Sequence, residues 1–580
     1  MPRASLLSVL IGTVLGVTSI CASRAQAADT GVGPTISVDQ IKPGMVGYGL
    51  TVFAGTKPER FGVRAVAILR NFLPKQDIIL IQSDDPRLVH SGIAQGMSGS
   101  PIYFDDRLAG ALAYGWGFAK DPIAGVTPIA AMTGELDRKP RTPADSPPAP
   151  TSSLPIGEGF HESAVPLQVS GLTAGAVAEL AQSLSPFHLV PQQAGGSRGS
   201  KKTVTNKGAR FEPGGAIAVE LIRGDISAVA TGTVTAIAGD RVLAFGHPMF
   251  NSGQVSLPIA TATIHTFMAS LNTSFKLSSP LDEAGALSQD RQSGIIGDMR
   301  ERVPMIPMKV AVHVAGRPDQ HFDVEVARHR FLTPVLVSTV VGSAASASAS
   351  DMAEAIITMK TKLVVHGERT LDLVDHIYAP DGAQAHTLST ATGLRAITDI
   401  LFNPFTAASI DRVEVEVEVS YRPDIAEIAE ASLGAEGVEP GSRPSLRIRL
   451  RPYGKSDETL TVPFDIPESL AGQTVKLTVQ AGGTMRPDAA PPESLRGMLD
   501  NLGRVYSPQS IVVGIETPDE GLTLHGRLVP ELPGSVLDSL RPSTAARRSD
   551  SLKRVLRVVV PTSFITVGKQ ELVLRVRERR

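Results

Sequence analysis

The sequence predicts a mainly β protein, with several β units and few short helices. Glycine (54 residues) and proline (43 residues) are abundant, which suits many short strands joined by turns. Short runs rich in aliphatic and β-branched residues recur along the chain, and turn residues separate them. At 580 residues the chain is too long for one core, because domains usually contain about 100–200 residues. We therefore expect several domains with aliphatic cores, since only 4% of the residues are aromatic.

Residues 1–27 have the pattern of a cleaved signal peptide. The positive Arg3 precedes an apolar run from Leu6 to Ile20, and Ala25-Gln-Ala27 forms an A-x-A cleavage site. The apolar run is shorter than the roughly 20 residues of a membrane span, and no later run of about 18 apolar residues follows it. We expect a mature chain without a membrane span, which begins at Ala28 and is periplasmic or extracellular.

Composition and motifs exclude several classes of function. The only cysteine is Cys21, which leaves with the signal peptide, so the mature protein has no thiol nucleophile, thiolate metal site or disulfide. The formal net charge of −2 gives no electrostatic reason to bind nucleic acid or an anionic membrane. No metal-ligand spacing, P-loop or dinucleotide fingerprint occurs. We expect no metal and no cofactor, and nothing in the sequence indicates an oligomeric state.

The first β unit is predicted to span residues 28–137. Its strand-like runs are Val63–Leu69, Asp77–Gln82, Pro101–Phe104 and Leu108–Tyr114. A linker and connecting segment follows at 138–214. It contains a Pro/Ser-rich stretch at 138–158 and a polar, Gly-rich loop at 194–208. We interpret the second of these as a plain surface loop, with a lid or a processing site as alternatives.

A second β unit is predicted at 215–345. Here the strand Ser227–Ala238 is followed by a tight turn at Gly239-Asp240 and by the return strand Arg241–Gly246. A mixed helical connector is then expected at 346–410. Its two predicted helices begin near Asp351, an N-cap residue, and cover Thr392–Leu401.

Residues 411–485 are predicted to form a β-sandwich. The stretch Arg412–Tyr421 alternates strictly between polar and apolar residues, as a half-buried strand must. The stretch Leu446–Arg451 alternates with the opposite charge. We expect cross-strand pairs between glutamates of the first stretch and arginines of the second. These are Glu414, Glu416 and Glu418 on one side and Arg447 and Arg449 on the other.

The remaining residues, 486–580, are predicted to form a C-terminal β/α extension. A helix is expected at Pro492–Leu502. Strands are expected near Leu552–Val560 and Leu572–Val576, where apolar residues recur at strand spacing. Another strand, Val475–Gln480, precedes this segment within the predicted sandwich.

Ser98, within Gly96-Met-Ser-Gly-Ser-Pro101, is the strongest candidate for a nucleophile. A serine nucleophile needs a turn that exposes its hydroxyl, backbone N–H groups directed at the developing oxyanion, and a base. The flanking glycines permit such a turn. The predicted hairpin after Pro101 would stiffen the turn and offer an edge for an extended peptide. An α/β-hydrolase elbow is excluded, because Gly-x-Ser-x-Gly needs glycine at the position of Ser100.

The Ser98 loop resembles the Gly-Asp-Ser-Gly-Gly-Pro loop of chymotrypsin-like proteases, and it resembles the SpoIVB-type serine peptidases more closely. In those peptidases the loop reads Gly-Ile-Val-Gln-Gly-Met-Ser-Gly-Ser-Pro, against Gly92-Ile-Ala-Gln-Gly-Met-Ser-Gly-Ser-Pro101 here. Lys120-Asp-Pro-Ile-Ala-Gly125 and the pair Asp85-Pro86 are also similar to that family. Gly246-His-Pro248 matches the motif that carries the family's catalytic histidine.

The resemblance implies a serine endopeptidase that acts on a protein or peptide substrate through an acyl-enzyme. It assigns Ser98 as nucleophile, His247 as general base and Asp85 as the triad acid. The implied oxyanion-hole residues are Gly96, Met97 and Ser98, and the implied substrate-binding residues are Tyr114, Gly115 and Trp116. In the family the histidine motif precedes the serine loop, whereas here His247 follows Ser98. The fold implied is therefore a permuted double β-barrel of trypsin-like type, followed by one or more β-sandwich domains.

Alternatives remain open at this stage. His90 is a second candidate for the base, although no motif surrounds it. Asp84 and Asp240 are alternatives to Asp85 as the acid. A different class of function is a catalytically inactive envelope scaffold or binding protein that retains the protease-like fold. A third possibility is a peptidase that only processes itself, at the 138–158 or the 194–208 segment.

Overall fold

The computed structural model describes most of the chain between residues 31 and 578. The described residues are 31–116, 119–136, 160–162, 165–187, 189–194, 210–349, 353–434, 437–485, 487, 489–524, 527–529, 533, 535–536, 539 and 551–578. The predicted signal peptide at 1–27, the linker at 138–158 and nearly all of the loop at 194–208 lie outside them. The described chain is mostly β with few helices, as predicted.

Six strands of the first β unit close into a barrel. They are β1 (Val46–Thr51), β2 (Glu59–Leu73), β3 (Gln76–Ser83), β4 (Pro101–Phe104), β5 (Arg107–Trp116) and β6 (Ile123–Pro128). Their order is β4-β1-β2-β3-β6-β5, and the pairing of β4 with β5 closes the ring. Helix α1 (Pro86–Ser91) lies between β3 and β4, and α2 (Ile129–Thr133) follows β6. All four predicted strands of this unit are confirmed.

The second β unit closes in the same way. Its strands are β10 (Ala216–Gly224), β11 (Ser227–Ala238), β12 (Arg241–Ala244), β13 (Gly253–Met268), β14 (Phe275–Arg291) and β15 (Gly294–Asp298). Their order is β10-β13-β14-β15-β12-β11, and β10 also pairs with β11. The predicted hairpin around Gly239 joins β11 to β12. The prediction of a double β-barrel is confirmed.

A short segment carries the chain from the first barrel to the second. Strand β7 (Phe160–Glu162) pairs with β5 of the first barrel. Strand β8 (Val165–Ser170) pairs with β11 of the second barrel. Helix α3 (Ala174–Leu184) and strand β9 (Leu189–Gln193) follow, and β9 pairs with β8.

The sheet of the second barrel continues beyond β10. The added elements are β16 (Ile306–Val314), β17 (Gln320–Val326), α4 (Leu332–Ser348), β18 (Ala355–Val365), β19 (Thr370–Ala379), α5 (Ala385–Leu388), α6 (Thr392–Leu401) and β20 (Ile410–Ser420). From β10 outward the strand order is β17, β16, β20, β18 and β19. The predicted helix Thr392–Leu401 is confirmed as α6.

The helix predicted to begin near Asp351 is wrong. Helix α4 instead ends at Ser348, and Ala355 already starts strand β18. The small and apolar residues of α4 are buried along most of its length, because the helix packs against the sheet and against α3, α5 and α6. Tertiary burial therefore stabilises a helix where the sequence shows no polar face, which a pattern based on amphipathicity does not detect.

The C-terminal strands form a two-sheet sandwich. Its strands are β21 (Ile425–Leu433), β22 (Gly437–Val438), β23 (Ser445–Pro452), β24 (Glu458–Pro463), β25 (Thr474–Ala481), β26 (Ser510–Leu524), β27 (Arg527–Val529), β28 (Ser551–Pro561), β29 (Ile565–Val567) and β30 (Lys569–Val576). Helix α7 (Leu495–Leu502) lies between β25 and β26 in sequence, and its buried leucines pack in the core of the barrel sheet. One sheet has the order β24-β23-β21-β29, and the other β22-β30-β25-β26-β27 with β28 beside β26. The sandwich thus combines strands from the predicted 411–485 and 486–580 segments.

The predicted pairing of Glu414, Glu416 and Glu418 with Arg447 and Arg449 is wrong. Strand β20, which carries these glutamates, belongs to the barrel sheet and lies between β16 and β18. Glu416 instead accepts from Lys360 Nζ at 2.9 Å, and Arg449 pairs with Glu430 at 2.9 Å in the sandwich. Alternating charge predicts a half-exposed strand, but it does not identify the neighbouring strand.

Among the described residues, no helix has both the length and the hydropathy that a membrane crossing requires.

The two barrels meet at Gly99. Its N–H donates to the Leu112 carbonyl in β5 at 2.7 Å, and its carbonyl accepts from Thr235 Oγ1 in β11 at 2.8 Å. Its φ is +96°, in the left-handed region that disfavours a side chain. A Cβ here would lie 2.5 Å from Phe245 N and even closer to the Thr233 carbonyl oxygen. Only glycine therefore fits between the barrels at this position.

We predict that Gly99→Ala lowers the free energy of unfolding by about 2–4 kcal/mol, which combines backbone strain with overpacking. The measurement is the urea midpoint of each purified variant. The control is Gly316→Ala, because Gly316 has φ +80° but a Cβ at that position would meet no atom within 4 Å. That variant should lose only about 1–2 kcal/mol. Equal losses in the two variants would contradict the proposed close packing at Gly99.

Candidate active site

Ser98 lies in a turn that hydrogen bonds from both barrels hold in place. The flanking Gly96 and Gly99 have φ of +89° and +96°, which allows the chain to reverse sharply before β4. The Ser98 carbonyl accepts from the N–H of Thr233 in β11 at 2.8 Å. Ser100 closes the turn, because its N–H and its hydroxyl both donate to the Met97 carbonyl.

His247 follows β12 in a second strained turn. Phe245 and Gly246 both have positive φ, at 69° and 73°. Thr127 of the first barrel donates from Oγ1 to the Gly246 carbonyl at 2.6 Å. A Cβ at Gly246 would lie 2.8 Å from Cβ of Ala111, so the turn packs directly against β5. The histidine is thus held by contacts from both barrels, as the serine is.

The two side chains meet although 149 residues separate them. His247 Nε2 lies 2.9 Å from Ser98 Oγ, and both residues are only 1% exposed. His247 Nδ1 lies 2.8 Å from the Pro248 carbonyl oxygen. Because a carbonyl can only accept, the proton resides on Nδ1 and Nε2 carries the lone pair. This is the tautomer in which the imidazole can accept the serine proton.

The backbone of the turn offers two free donors beside Ser98. The Gly96 and Ser98 N–H groups have no acceptor within the described part of the chain. Met97, which the resemblance also implied for the oxyanion hole, has its N–H engaged with the Ala94 carbonyl at 3.1 Å. Thr233 Oγ1 donates to the Gly96 carbonyl at 2.8 Å, which fixes the orientation of that peptide. The pair Gly96 and Ser98 can therefore bind an oxyanion.

Asp85 makes its side-chain hydrogen bonds with Arg87. It caps α1 by accepting from the N–H of Arg87 at 2.9 Å, and it also binds the Arg87 guanidinium. The hydrogen bonds from Arg87 hold the pKa of Asp85 below its ordinary value. No hydrogen bond or ion pair in the described chain joins Asp85 to His247. The role of triad acid for Asp85 was implied by the resemblance alone, which does not take the neighbouring Arg87 into account.

The other candidates from the sequence do not meet the site either. Asp240 forms an ion pair with Arg300 at 3.3 Å, and His90 is exposed on α1. Asp84 is exposed, and its Oδ1 lies over Gly62 of β2. Among the predicted catalytic groups, the structure brings together Ser98 and His247 only.

The predicted substrate-binding strand is the end of β5. The Tyr114 side chain is fully buried and packs against Phe72 with ring centroids 6.3 Å apart, so it belongs to the barrel core. The part of this segment that can pair with an extended peptide is therefore the backbone of Tyr114, Gly115 and Trp116. Strand β7 of the same chain already pairs with this edge.

Two buried ionisable side chains near the site carry no motif. Lys276 in β14 is fully buried under the Ser98 turn, and its Nζ donates to Thr51 Oγ1 at 2.6 Å and to Thr233 Oγ1 at 3.3 Å. Burial lowers the pKa of Lys276 to about 7. Asp290, also in β14, is fully buried and accepts N–H groups of the turn after His247. No local pattern in the sequence predicts these contacts, because the groups that Lys276 and Asp290 bind lie far from them in sequence.

No group of three or more His, Cys, Asp or Glu side chains suited to a metal ion occurs in the part of the chain that the structure describes.

Comparison with known proteins relates the part of the chain that carries Ser98 to one family. A family model described as SpoIVB peptidase S55 matches residues 12–131, which include the Ser98 turn and the first barrel. The match confirms the resemblance to SpoIVB-type peptidases and supports a serine peptidase function in general terms. His247 lies outside the matched segment. No curated protein and no solved structure matches the chain.

We predict that Lys276→Met makes stability less dependent on pH. Because the unfolded lysine has a pKa near 10.4, it keeps a proton that the folded lysine loses above pH about 7. Stability of the wild type therefore rises with pH between about 7 and 10, and the charge costs a few kcal/mol below that window. At pH about 6 the urea midpoint of the variant should exceed that of the wild type. The difference between the two midpoints should become smaller at pH about 8 and 10.

The matched control for this experiment is Lys309→Met, because Lys309 is exposed on β16. That variant should follow the wild-type pH dependence. Parallel pH curves for Lys276→Met and the wild type would contradict a buried, readily deprotonated Lys276.

Proposed function

We propose that this protein is an exported serine endopeptidase, in which Ser98 attacks the peptide carbonyl and His247 acts as general base. The observation that carries the proposal is the 2.9 Å contact between Ser98 Oγ and His247 Nε2. Two structural facts add support, namely the tautomer imposed by the Pro248 carbonyl and the two free N–H groups of the serine turn. The family match of the first barrel is consistent with this chemistry.

The proposed reaction follows from these positions. His247 Nε2 takes the proton from Ser98 Oγ as the oxygen bonds to the substrate carbonyl carbon. The resulting oxyanion accepts from the Gly96 and Ser98 N–H groups, a pair for which each donor is worth about 10²–10³ in kcat. The imidazolium then gives its proton to the leaving amine, which departs and leaves an acyl-enzyme. Water, activated by His247, releases the acyl group and restores Ser98.

The test of this proposal is labelling by a fluorophosphonate probe. We expect wild-type protein to label, and Ser98→Ala and His247→Gln to lose labelling almost completely, because the first lacks the nucleophile and the second lacks the base. Asp85→Asn separates the dyad from the triad that the resemblance implies. Because the Asp85 carboxylate is engaged at Arg87, this variant should label at nearly the wild-type rate. Its loss of stability should stay below about 1 kcal/mol, because asparagine caps a helix about as well as aspartate and the ion pair with Arg87 is partly exposed.

One outcome would count against the proposal, and another would change the assignment of the acid. If folded wild-type protein does not label, the envelope scaffold or binding protein becomes the better interpretation. If folded Asp85→Asn protein stops labelling, Asp85 regains the role of triad acid.

A second function, processing or inhibition of the protein by its own chain, is favoured by strand β7. Strand β6 covers one edge of β5 at Tyr114 and Gly115, so β7 must lie on the opposite edge. That is the edge where Leu112 bonds to Gly99 and Ser100, directly beside the nucleophile turn. A segment of the chain thus lies where the proposal expects an extended substrate.

The direction of β7 also fits this second function. It runs antiparallel to β5, with Phe160 opposite Trp116 and Glu162 opposite Tyr114. Its carboxyl-terminal residue is therefore the one nearest to the serine turn. We propose that β7 competes with substrates for this edge, and that the peptide bond after Glu162 is the first to test for self-cleavage.

We predict that the double variant His161→Pro/Glu162→Pro opens this edge. Alternate residues of a strand bond to a given neighbour, so one of two consecutive prolines must remove a ladder hydrogen bond. Cleavage of a fluorogenic peptide library should become several-fold faster, while labelling by the small fluorophosphonate changes little. The control His161→Ala/Glu162→Ala keeps both N–H groups and should behave as wild type.

Unchanged or slower peptide cleavage in the proline variant would contradict competition by β7. Intact-mass measurement addresses self-cleavage separately. A fragment ending at Glu162 in wild type, and absent in Ser98→Ala, is the result expected for processing.

A further inference from the structure

We propose that Asp290 positions His247 indirectly, through one peptide group that both side chains bind. It thereby takes the role of a triad acid without a direct hydrogen bond to the imidazole. This inference rests on the Ser98–His247 site proposed above. Asp290 is a positioning residue here, because it contacts neither the substrate nor the imidazole.

A continuous series of hydrogen bonds connects the two side chains. His247 Nδ1 donates to the Pro248 carbonyl at 2.8 Å. The N–H of Met249 donates to Asp290 Oδ1, also at 2.8 Å. The Pro248 carbonyl and the Met249 N–H belong to the same planar peptide group, with the oxygen and the hydrogen on opposite sides. The carboxylate therefore contacts one end of this peptide, and the imidazole contacts the other.

Asp290 also holds the rest of the turn that follows the histidine. Its Oδ2 accepts from the N–H of Phe250 at 2.6 Å and from that of Ser252 at 3.4 Å. Asn251, between them, has a φ of 52°, which a non-glycine residue adopts only when its surroundings stabilise it. One carboxylate thus binds several N–H groups of a strained turn, and the turn fixes where Pro248 presents its carbonyl.

The charge of Asp290 has no counterion within the described chain. The residue is fully buried, and its strand partners are Gly253 and Ile295, which carry no charge. The adjacent Arg291 turns to Gln289 and to Glu135. Burial raises the pKa of Asp290 to about 6, although hydrogen bonds from the turn lower it in part. The carboxylate is therefore mainly ionised at neutral pH, in a medium that screens its field weakly.

These features give the carboxylate two effects on the proposed reaction. A peptide whose N–H is bound to a carboxylate is a stronger acceptor at its carbonyl, because hydrogen bonds in series polarise one another. The Pro248 carbonyl therefore holds the Nδ1 proton and the ring orientation more firmly. When His247 takes the serine proton, the nearby negative charge also stabilises the imidazolium. No proton reaches Asp290 in this scheme.

The test is Asp290→Asn, with the rate of fluorophosphonate labelling measured between pH about 5 and 9. An amide keeps one acceptor but loses the charge, so we expect labelling about 10- to 100-fold slower at pH 7. That loss is smaller than the roughly 10⁴-fold loss when a directly bonded triad aspartate becomes asparagine. The acidic limb of the profile should also move to lower pH, because the imidazolium loses a stabilising charge.

The matched control is Asp298→Asn. Asp298 is a buried aspartate of the same barrel that accepts a backbone N–H, from Arg300 at 2.9 Å, and among the described residues no series of hydrogen bonds like that of Asp290 leads from it to the turn after His247. This variant should keep the labelling rate and the profile of the wild type. A folded Asp290→Asn protein with the wild-type rate and profile would overturn the inference and leave the Ser98–His247 site intact. Failure of the wild type to label would instead refute the proposed function.

A wild-type measurement covers the case in which Asp290→Asn does not fold. Protonation of His247 should stop the reaction, and protonation of Asp290 should slow it about as much as Asp290→Asn does. The acidic limb should therefore become steeper than one proton per pH unit below pH about 6. A limb that keeps a slope of one throughout would overturn the inference.

Discussion

The hydrogen bonds between the Ser98 turn and strand β11 are the constraint on which the proposed site depends. Thr233 binds the turn twice, through its N–H to the Ser98 carbonyl and through Oγ1 to the Gly96 carbonyl, both at 2.8 Å. Thr235 adds a third bond, to the Gly99 carbonyl. The Ser98 turn belongs to the first barrel, yet hydrogen bonds from the second barrel fix the orientation of its peptide groups. Neither barrel alone would present Ser98 in this geometry.

The same contact explains why the reversed motif order is compatible with the proposed site. Strand β12, which leads into His247, pairs with β11, and β11 holds the serine turn. The distance between the two side chains is therefore set by one hairpin and its contacts, and the chain order of the barrels does not enter. Recurrence of one catalytic geometry with different chain orders follows the same logic. Thr127, reaching from the first barrel to the Gly246 carbonyl, completes a reciprocal arrangement.

The parts that the sequence could predict are those encoded locally. Glycines at 96 and 99 indicate a sharp turn, and strand alternation gives β4, β5 and β11 almost residue for residue. The sequence did not predict which distant strands pair with one another, as the position of β20 demonstrates. Asp290 was missed for the same reason, since the N–H groups that it binds at Met249 and Phe250 lie 41 and 40 residues away in sequence. Asp85 had motif support, but its nearest cation, Arg87, decides its role.

Strand β14 places two buried ionisable groups beside the two turns of the proposed site, Lys276 under the Ser98 turn and Asp290 under the turn after His247. Their stability effects run in opposite directions with pH. The raised pKa of Asp290 means that stability falls as pH rises from about 4 to about 6, whereas the lowered pKa of Lys276 means that stability grows as pH rises from about 7 toward 10. Above pH about 7 the lysine is mainly neutral and the aspartate is charged. That combination leaves one negative charge near the proposed imidazolium and little positive charge beneath the Ser98 turn. The folded protein therefore carries the desolvation cost of one carboxylate at the position where the proposed chemistry benefits from its charge.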